Sequence, residues 1–138
     1  MIVVVDANPL ISLLIKPGKP LDLLLQEDLE LVAPAWLFEE IEKYKELVYQ
    51  KSGLEKGEVD IIVSILKKRI RVVMENEFVS FRERAEKVCP DGKDVPYFAL
   101  ALYLRCALWS NDKRLKEQTR VKIISSHELL SIIKASKE

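Results

Sequence analysis

The sequence predicts an α/β fold: a three-layer α/β/α domain with a central, mostly parallel sheet of about five strands and helices on both faces. Three observations carry this. Short apolar, β-branched runs alternate with helical patterns along the chain. The first run, Met-Ile-Val-Val-Val at residues 1–5, is apolar at every position, as in a strand buried on both faces. Residues 95–105 are apolar almost all round, which suits a central, buried helix. The 138 residues suit one domain, spanning 1–138, with no repeats, linkers or low-complexity stretches.

Each element has its own warrant. After the first strand, Asn8 is expected to cap a helix, with Pro9 at its first position and apolar residues 10–15 behind it. A second short helix starts at Pro20 and carries Leu21, Leu24 and Leu25. Residues 29–33 (Leu-Glu-Leu-Val-Ala) form the second strand, closed by Pro34. One long amphipathic helix covers residues 35–50, and Ser52-Gly53 ends it. The next covers residues 55–68, with Val59, Ile62, Ile65 and Leu66 on one side. Residues 71–74 are the third strand, followed by a charged helix over residues 77–87 and a loop at 89–93 marked by its turn residues. The apolar helix 95–105 leads to strands at 107–109 and 121–124, with residues 111–118 between them. Ser125 and Glu128 form a capping-box pattern before a C-terminal helix ending near Lys134.

Composition removes whole classes of chemistry. The balance of 22 basic against 22 acidic residues excludes a histone-like polycation or an acidic tail. It does not exclude nucleic acid, whose binding depends on where basic residues sit. With 49% apolar and 32% charged residues the chain is not disordered. A single histidine, His127, excludes zinc sites built on several histidines and most His-based catalytic pairs. The four glycines make neither GxGxxG nor GxxxxGK, so no glycine-rich phosphate cradle is expected. Cys89 and Cys106 form no CxxC pair and read as core residues in a reducing compartment. Asp6 and Pro9 interrupt the apolar start and no basic region precedes it, so neither a signal peptide nor a membrane span is expected. A cytoplasmic protein without membrane association is the expectation.

Ligands of open α/β sheets bind beyond the carboxyl ends of the strands. Asp6 directly follows the first strand, Asp112 follows the fourth after Ser110 and Asn111, and Asp94 stands at the amino end of the buried helix. Helix periodicity adds a fourth carboxylate. At about 100° per residue, Trp36, Leu37, Ile41, Tyr44, Leu47 and Val48 share an apolar face. Glu39, Glu42 and Glu46 point away from it, whereas Glu40 falls inside it and needs a partner such as a cation or metal. The same residues also admit structural roles: Asp94 as a helix cap, Asp112 as a turn or cap residue, Glu40 snorkelling or paired with a lysine. Asp6 is harder to explain so, because Asn8 already serves the following helix. Carboxylates that converge need a cation, and oxygen-only ligands favour Mg²⁺ or Mn²⁺. Such ions bind phosphates and activate water, which fits phosphodiester hydrolysis.

Four stretches in order then resemble the PIN domain family: Val-Val-Asp6-Ala-Asn8-Pro-Leu-Ile-Ser12, Ala-Pro34-Ala-Trp-Leu-Phe-Glu-Glu40-Ile, Asp91-Gly-Lys-Asp94-Val-Pro-Tyr-Phe-Ala-Leu-Ala101, and Leu108-Trp-Ser110-Asn-Asp112-Lys-Arg-Leu115. The resemblance implies a PIN-like nuclease fold and a Mg²⁺- or Mn²⁺-dependent endoribonuclease, with Asp6, Glu40, Asp94 and Asp112 as its metal-binding, catalytic acids. It places Asn8 and Ser110 in support of the first and last acids. Asp91 is either an auxiliary ligand or a loop residue, and Glu39 is a minor rival to Glu40. Metal-activated water would attack the phosphorus of single-stranded RNA in line, leaving 5′-phosphate and 3′-hydroxyl ends. Lys113, Arg114, Lys116, Lys16 and Lys19 would guide the RNA. Many relatives are toxins of toxin–antitoxin pairs, so an antitoxin protein and a homodimer join the expected partners. The alternative is a catalytically silent PIN-like module that binds RNA or a protein partner. A phosphoaspartyl enzyme of the haloacid dehalogenase type would want an aspartate where Asn8 stands, and a receiver domain a second acid beside Asp6.

Overall fold

The β-branched opening run pairs on both of its edges, and this organises the sheet. In the computed structural model, which describes residues 1–137, β1 (Ile2–Val5) lies between β2 (Glu30–Pro34) and β4 (Ala107–Trp109). β3 (Ile70–Val73) flanks β2 and β5 (Ile123–Ile124) flanks β4, giving the order β3-β2-β1-β4-β5. Every pair is parallel, and Val4 stands opposite both Val32 and Leu108. Val3, Val4 and Val5 are fully buried, as a strand covered on both faces must be.

Eight α-helices accompany the sheet among the described residues: α1 (Ala7–Ile15), α2 (Trp36–Lys43), α3 (Lys45–Lys51), α4 (Lys56–Arg69), α5 (Glu75–Phe78), α6 (Arg82–Val88), α7 (Val95–Leu104) and α8 (Ser126–Ser136). α7 is the central one. It touches β1, β2 and β4 and buries Tyr97, Phe98, Ala99, Leu100 and Ala101. The capping box at Ser125 and Glu128 forms as its spacing predicts. From the last residue of α4, the Arg69 guanidinium donates to the carbonyls of Leu24 (2.7 Å), Gln26 and Leu29, tying down the end of the 3-10 turn Lys19–Leu25 and the loop after it.

Several local expectations change. Residues 35–50 are two helices rather than one, because Tyr44 (φ −96°, ψ 5°) leaves the helical region and the chain bends there. Gly53, with φ +42°, takes the left-handed conformation just past α3, where glycine carries little penalty. The charged helix at 77–87 is divided into α5, a 3-10 turn at Val79–Phe81, and α6. Ile65 is exposed, and Val63 takes the inner face of α4 with Val59 and Leu66. The segment at 111–118 is a 3-10 turn, Lys113–Glu117. Both cysteines are half-buried at the margin of the core rather than inside it. Among the described residues no helix is long and apolar enough to cross a membrane.

One feature of the topology positions the site. From β1 the chain builds outward through β2 and β3 on one side, then returns to add β4 and β5 on the other. The carboxyl ends of β1 and β4 therefore lie side by side, with the Asp6 N–H donating to the Trp109 carbonyl at 3.0 Å. Loops leaving such a switch point diverge and open a crevice.

Candidate active site

The crevice at the switch point is a cleft of about 250 Å³. Asp6 enters it from the end of β1, Glu40 from α2, Asp94 from the start of α7 and Asp112 from the turn after β4. Asn8, Ser12, Tyr44 and Lys93 also line it.

Asp6 is 5% exposed and does what sequence reasoning assigned to Asn8: it caps α1, its Oδ1 accepting the Ala7 N–H at 2.8 Å. Its other oxygen accepts the Ser110 hydroxyl at 2.8 Å. Burial pushes its carboxyl up to about 6 despite those two donors, and the charges of Glu40 and Asp112 push the same way. Asn8 sits inside the first turn of α1 instead, its Nδ2 donating to Ser110 Oγ at 3.3 Å and its Oδ1 accepting the Asn111 N–H at 3.1 Å. Ser110 Oγ also accepts the Asp112 N–H at 3.2 Å. Asn111 continues the chain of contacts by accepting the Ser126 N–H at 2.8 Å. One network thus joins the ends of β1 and β4 to the start of α8.

Asp94 is also 5% exposed and stands at the N-cap of α7 without a side-chain capping bond, so the structural role open to it in sequence is not the one it plays. Burial pushes its carboxyl up to about 7, followed by the charges of Asp6 and Asp91, with Lys93 pulling the other way. Glu40 has a partner that periodicity did not identify: the Tyr97 hydroxyl donates to its Oε1 at 2.6 Å. Tyr97 is fully buried, and burial, then the bond to Glu40, holds its hydroxyl far above the ordinary range. Glu39 is exposed and does not line the cleft. Asp112 accepts from the Arg114 N–H at 3.0 Å and from its guanidinium at 3.2 and 2.9 Å. These bonds hold the Asp112 carboxyl below its ordinary range, and they fulfil the turn role left open for it.

The auxiliary residues divide. Asp91 does not line the cleft; it accepts the Lys93 N–H at 3.1 Å and lies 3.7 Å from the Arg114 guanidinium. None of Lys113, Arg114, Lys116, Lys16 and Lys19 lines the cleft either. Arg114 is engaged with Asp112, and Lys116 pairs with Glu128. Lys93 does line it and was missed, as was Tyr97. Lys93 was legible as the cation one position before Asp94. Tyr97 was hidden in an apolar helix, where an aromatic reads as core.

A hard divalent cation fits the chemistry of this donor set. Four carboxylates share one cleft, and two of them, Asp6 and Asp94, are pushed towards neutrality by burial and by neighbouring carboxylates, which a cation would reverse. Among the described residues no three carboxylate, imidazole or thiol groups make a ready ligand set as placed, with Glu40 bonded to Tyr97 and Asp112 to Arg114.

Fold and cleft together define an α/β/α protein with a carboxylate-lined crevice at the switch point of a parallel sheet. A family model described as PIN domain matches residues 4–128, and the chain belongs to that family, whose members are generally nucleases that use divalent metals. A chain of VapBC-1 from nontypeable Haemophilus influenzae shares the fold, with a TM-score of 0.63 and 16% identity, covering 92% of this chain and 99% of that one. No match was found among curated proteins.

Proposed function

We propose that this chain, taken as one nuclease domain over residues 1–138, is a metal-dependent endoribonuclease that hydrolyses single-stranded RNA. The observation that carries the proposal is the gathering of Asp6, Glu40, Asp94 and Asp112 along one cleft at the switch point. In it, Asp6, Asp94 and Asp112 with Glu40 would hold Mg²⁺ or Mn²⁺. The bound ion supplies a polarised phosphoryl oxygen and an acidified water at neutral pH.

The remaining work belongs to the chain. Ser110 and the Ala7 N–H hold both oxygens of Asp6, so that carboxylate is oriented before any ion arrives. Tyr97 holds Glu40 from within the core. Lys93 sets a cation beside Asp94 in the wall of the cleft, where a phosphate would pass. No imidazole lines the cleft, the one histidine lying exposed on α8, so attack by water rather than by the 2′-hydroxyl is proposed, with 5′-phosphate and 3′-hydroxyl products. Family membership and the fold shared with VapBC-1 support a role as the toxin of a toxin–antitoxin pair, with an antitoxin protein and a second copy of the chain as partners in the cytoplasm.

The test is incubation of purified protein and its Asp6→Asn and Asp94→Asn variants with a panel of single-stranded RNAs in Mn²⁺, with and without EDTA. Cleavage by the wild type alone, abolished by EDTA, is expected. Cleavage that survives EDTA or persists in both variants would overturn the metal site. Binding of RNA without cleavage across the panel would favour the silent module.

A further inference from the structure

A second charged surface lies at the opposite end of the sheet. Arg105, Cys106 and Ala107 open β4 at its amino end, whereas Asp112 follows its carboxyl end. Two grooves meet there, of about 450 Å³ and about 420 Å³, sharing Leu102 and Arg120 in their walls. Arg84, Lys87 and Arg120 line the first; Arg105, Arg120 and Lys122 line the second. Among the described residues no acidic side chain lines either groove, and neither shares a residue with the carboxylate cleft.

These cations are also free of the pairing that occupies others. Among the described residues Arg84, Arg105, Arg120 and Lys122 have no ion-pair partner, and Lys87 has only Glu83 at 3.9 Å. Arg84 instead lies over the Phe81 ring, 5.1 Å from its centroid. Arg105 is the one non-glycine residue with positive φ among those described (φ 54°, ψ 49°), ending α7 in the left-handed conformation that glycine adopts most easily. A guanidinium kept at a strained position, beside three more cations without carboxylate partners, is a surface suited to an external polyanion.

We propose that this basic double groove is a second binding surface for the phosphate backbone of single-stranded RNA, remote from the site of cleavage. The proposal rests on the nuclease reading for its choice of polyanion. Arginines predominate, and their planar forks match phosphate oxygens in pairs. Val88 and Leu102 give the first groove an apolar wall along which sugars and bases can lie. The ten residues of α7 span about 15 Å between Asp94 and Arg105, so only an RNA longer than the cleft requires can reach both surfaces. The surface therefore selects for length: it tightens binding of long RNA and leaves the chemistry of short RNA untouched.

The test compares the wild type with Arg84→Gln/Arg120→Gln and with Arg105→Gly. The glycine variant removes a charge while relieving the left-handed backbone, so its melting temperature should equal or exceed the wild type's, and weakened binding could not be assigned to unfolding. Anisotropy of labelled single-stranded RNA of about 16 nucleotides, in EDTA, should show about tenfold weaker binding by the double variant and about threefold by Arg105→Gly. The dependence of log affinity on log salt should flatten by about 0.7 for each phosphate that is no longer neutralised. In Mn²⁺ the KM for the long RNA should rise with kcat unchanged, and cleavage of RNA of about 4 nucleotides should not change. Unchanged binding of the long RNA, or equal losses on long and short RNA, would overturn the proposal. So would polyglutamate of equal length binding the wild type more tightly than RNA does, which would make the surface a protein-docking site. A wild type that cleaves RNA but is indifferent to these substitutions refutes this surface alone; one that binds RNA through it yet never cleaves refutes the nuclease reading alone.

Discussion

Asp6→Asn should stabilise the fold while it abolishes cleavage. The rise of the Asp6 carboxyl from its ordinary 3.8 to about 6 corresponds to about 3 kcal/mol against the ionised form in the folded protein. Asparagine has the same shape without the charge. Its Oδ1 keeps the Ala7 N–H, now at 2.8 Å, but its amide nitrogen faces the Ser110 hydroxyl, whose oxygen already accepts from Asn8 and the Asp112 N–H, so the Ser110 O–H loses its acceptor. The penalty of about 3 kcal/mol already includes the extra strength of that bond to a charge. The remaining cost is the buried Ser110 O–H left without an acceptor, about 1–2 kcal/mol, which leaves a net gain of about 1–2 kcal/mol at neutral pH. For a chain of this size the gain is a rise in Tm of about 3–8 °C.

The assay is thermal and urea unfolding at pH 7.5 in EDTA, repeated down to pH 5. In the wild type, folded Asp6 and Asp94 take up protons at about 6 and about 7, before the unfolded chain does. Stability therefore grows as pH falls from about 7 towards about 4 and is lost as pH rises back through those values. The variant lacks the share of Asp6, so its profile is flatter. Mg²⁺ should raise the wild-type Tm and leave the variant nearly unmoved, closing the gap between them. A variant that melts below the wild type at pH 7.5 in EDTA, or a wild type that loses stability between pH 7 and 5, would refute the claim that the fold bears the cost of this buried charge.

Ser110→Ala removes a buried hydroxyl that binds Asp6, Asn8 and the Asp112 N–H, and urea unfolding should show a loss of about 2 kcal/mol. Tyr97→Phe frees Glu40 from its only hydrogen-bond donor among the described residues; kcat should fall about tenfold with RNA binding in EDTA unchanged. Arg114→Ala releases Asp112 from the guanidinium, and calorimetric titration should show Mn²⁺ binding about threefold tighter. Glu128, held down at about 2 by Lys116 and by Ser125, works against Asp6 and Asp94 in acid: its contribution is present above its ordinary 4.5 and lost as pH falls towards about 2. Lys116→Ala should remove part of that acid-side loss in the unfolding profile.

Some of this was open to reading from residue order, and the reasons differ by scale. The sheet was legible because five short apolar runs separated by helical patterns leave few packings, and β1 has no polar face to turn outward. Asp6, Asp94 and Asp112 were legible as acids at element junctions. Glu40 was reached through a periodicity that presumed one straight helix; the bend at Tyr44 lies beyond it, so its face survived although the helix did not. The cap of α1 went wrong because Asn8-Pro9 is a good local signal and Asp6 an equally good one two residues earlier. Only the tertiary bonds of Asn8 to Ser110 and Asn111, just past a strand a hundred residues away, decide between them. The Tyr97–Glu40 bond and the pairing of Lys116 with Glu128 are likewise invisible to any local pattern.

The zero net charge is the most misleading number in the sequence, for a physical reason. Charges cancel for a distant observer, but at physiological ionic strength screening sets in over about 8 Å. The acids of the cleft and the unpaired bases around Arg105 and Arg120 stand at opposite ends of α7, about 15 Å apart by its length. A ligand at either end feels that end alone. The carboxylates at one end would disfavour phosphate until a metal ion offsets them, whereas the bases at the other would attract it regardless. On the proposed reading, a protein arranged this way would take hold of RNA where it does not cut and make cutting conditional on metal, and a sum of 22 against 22 would show neither.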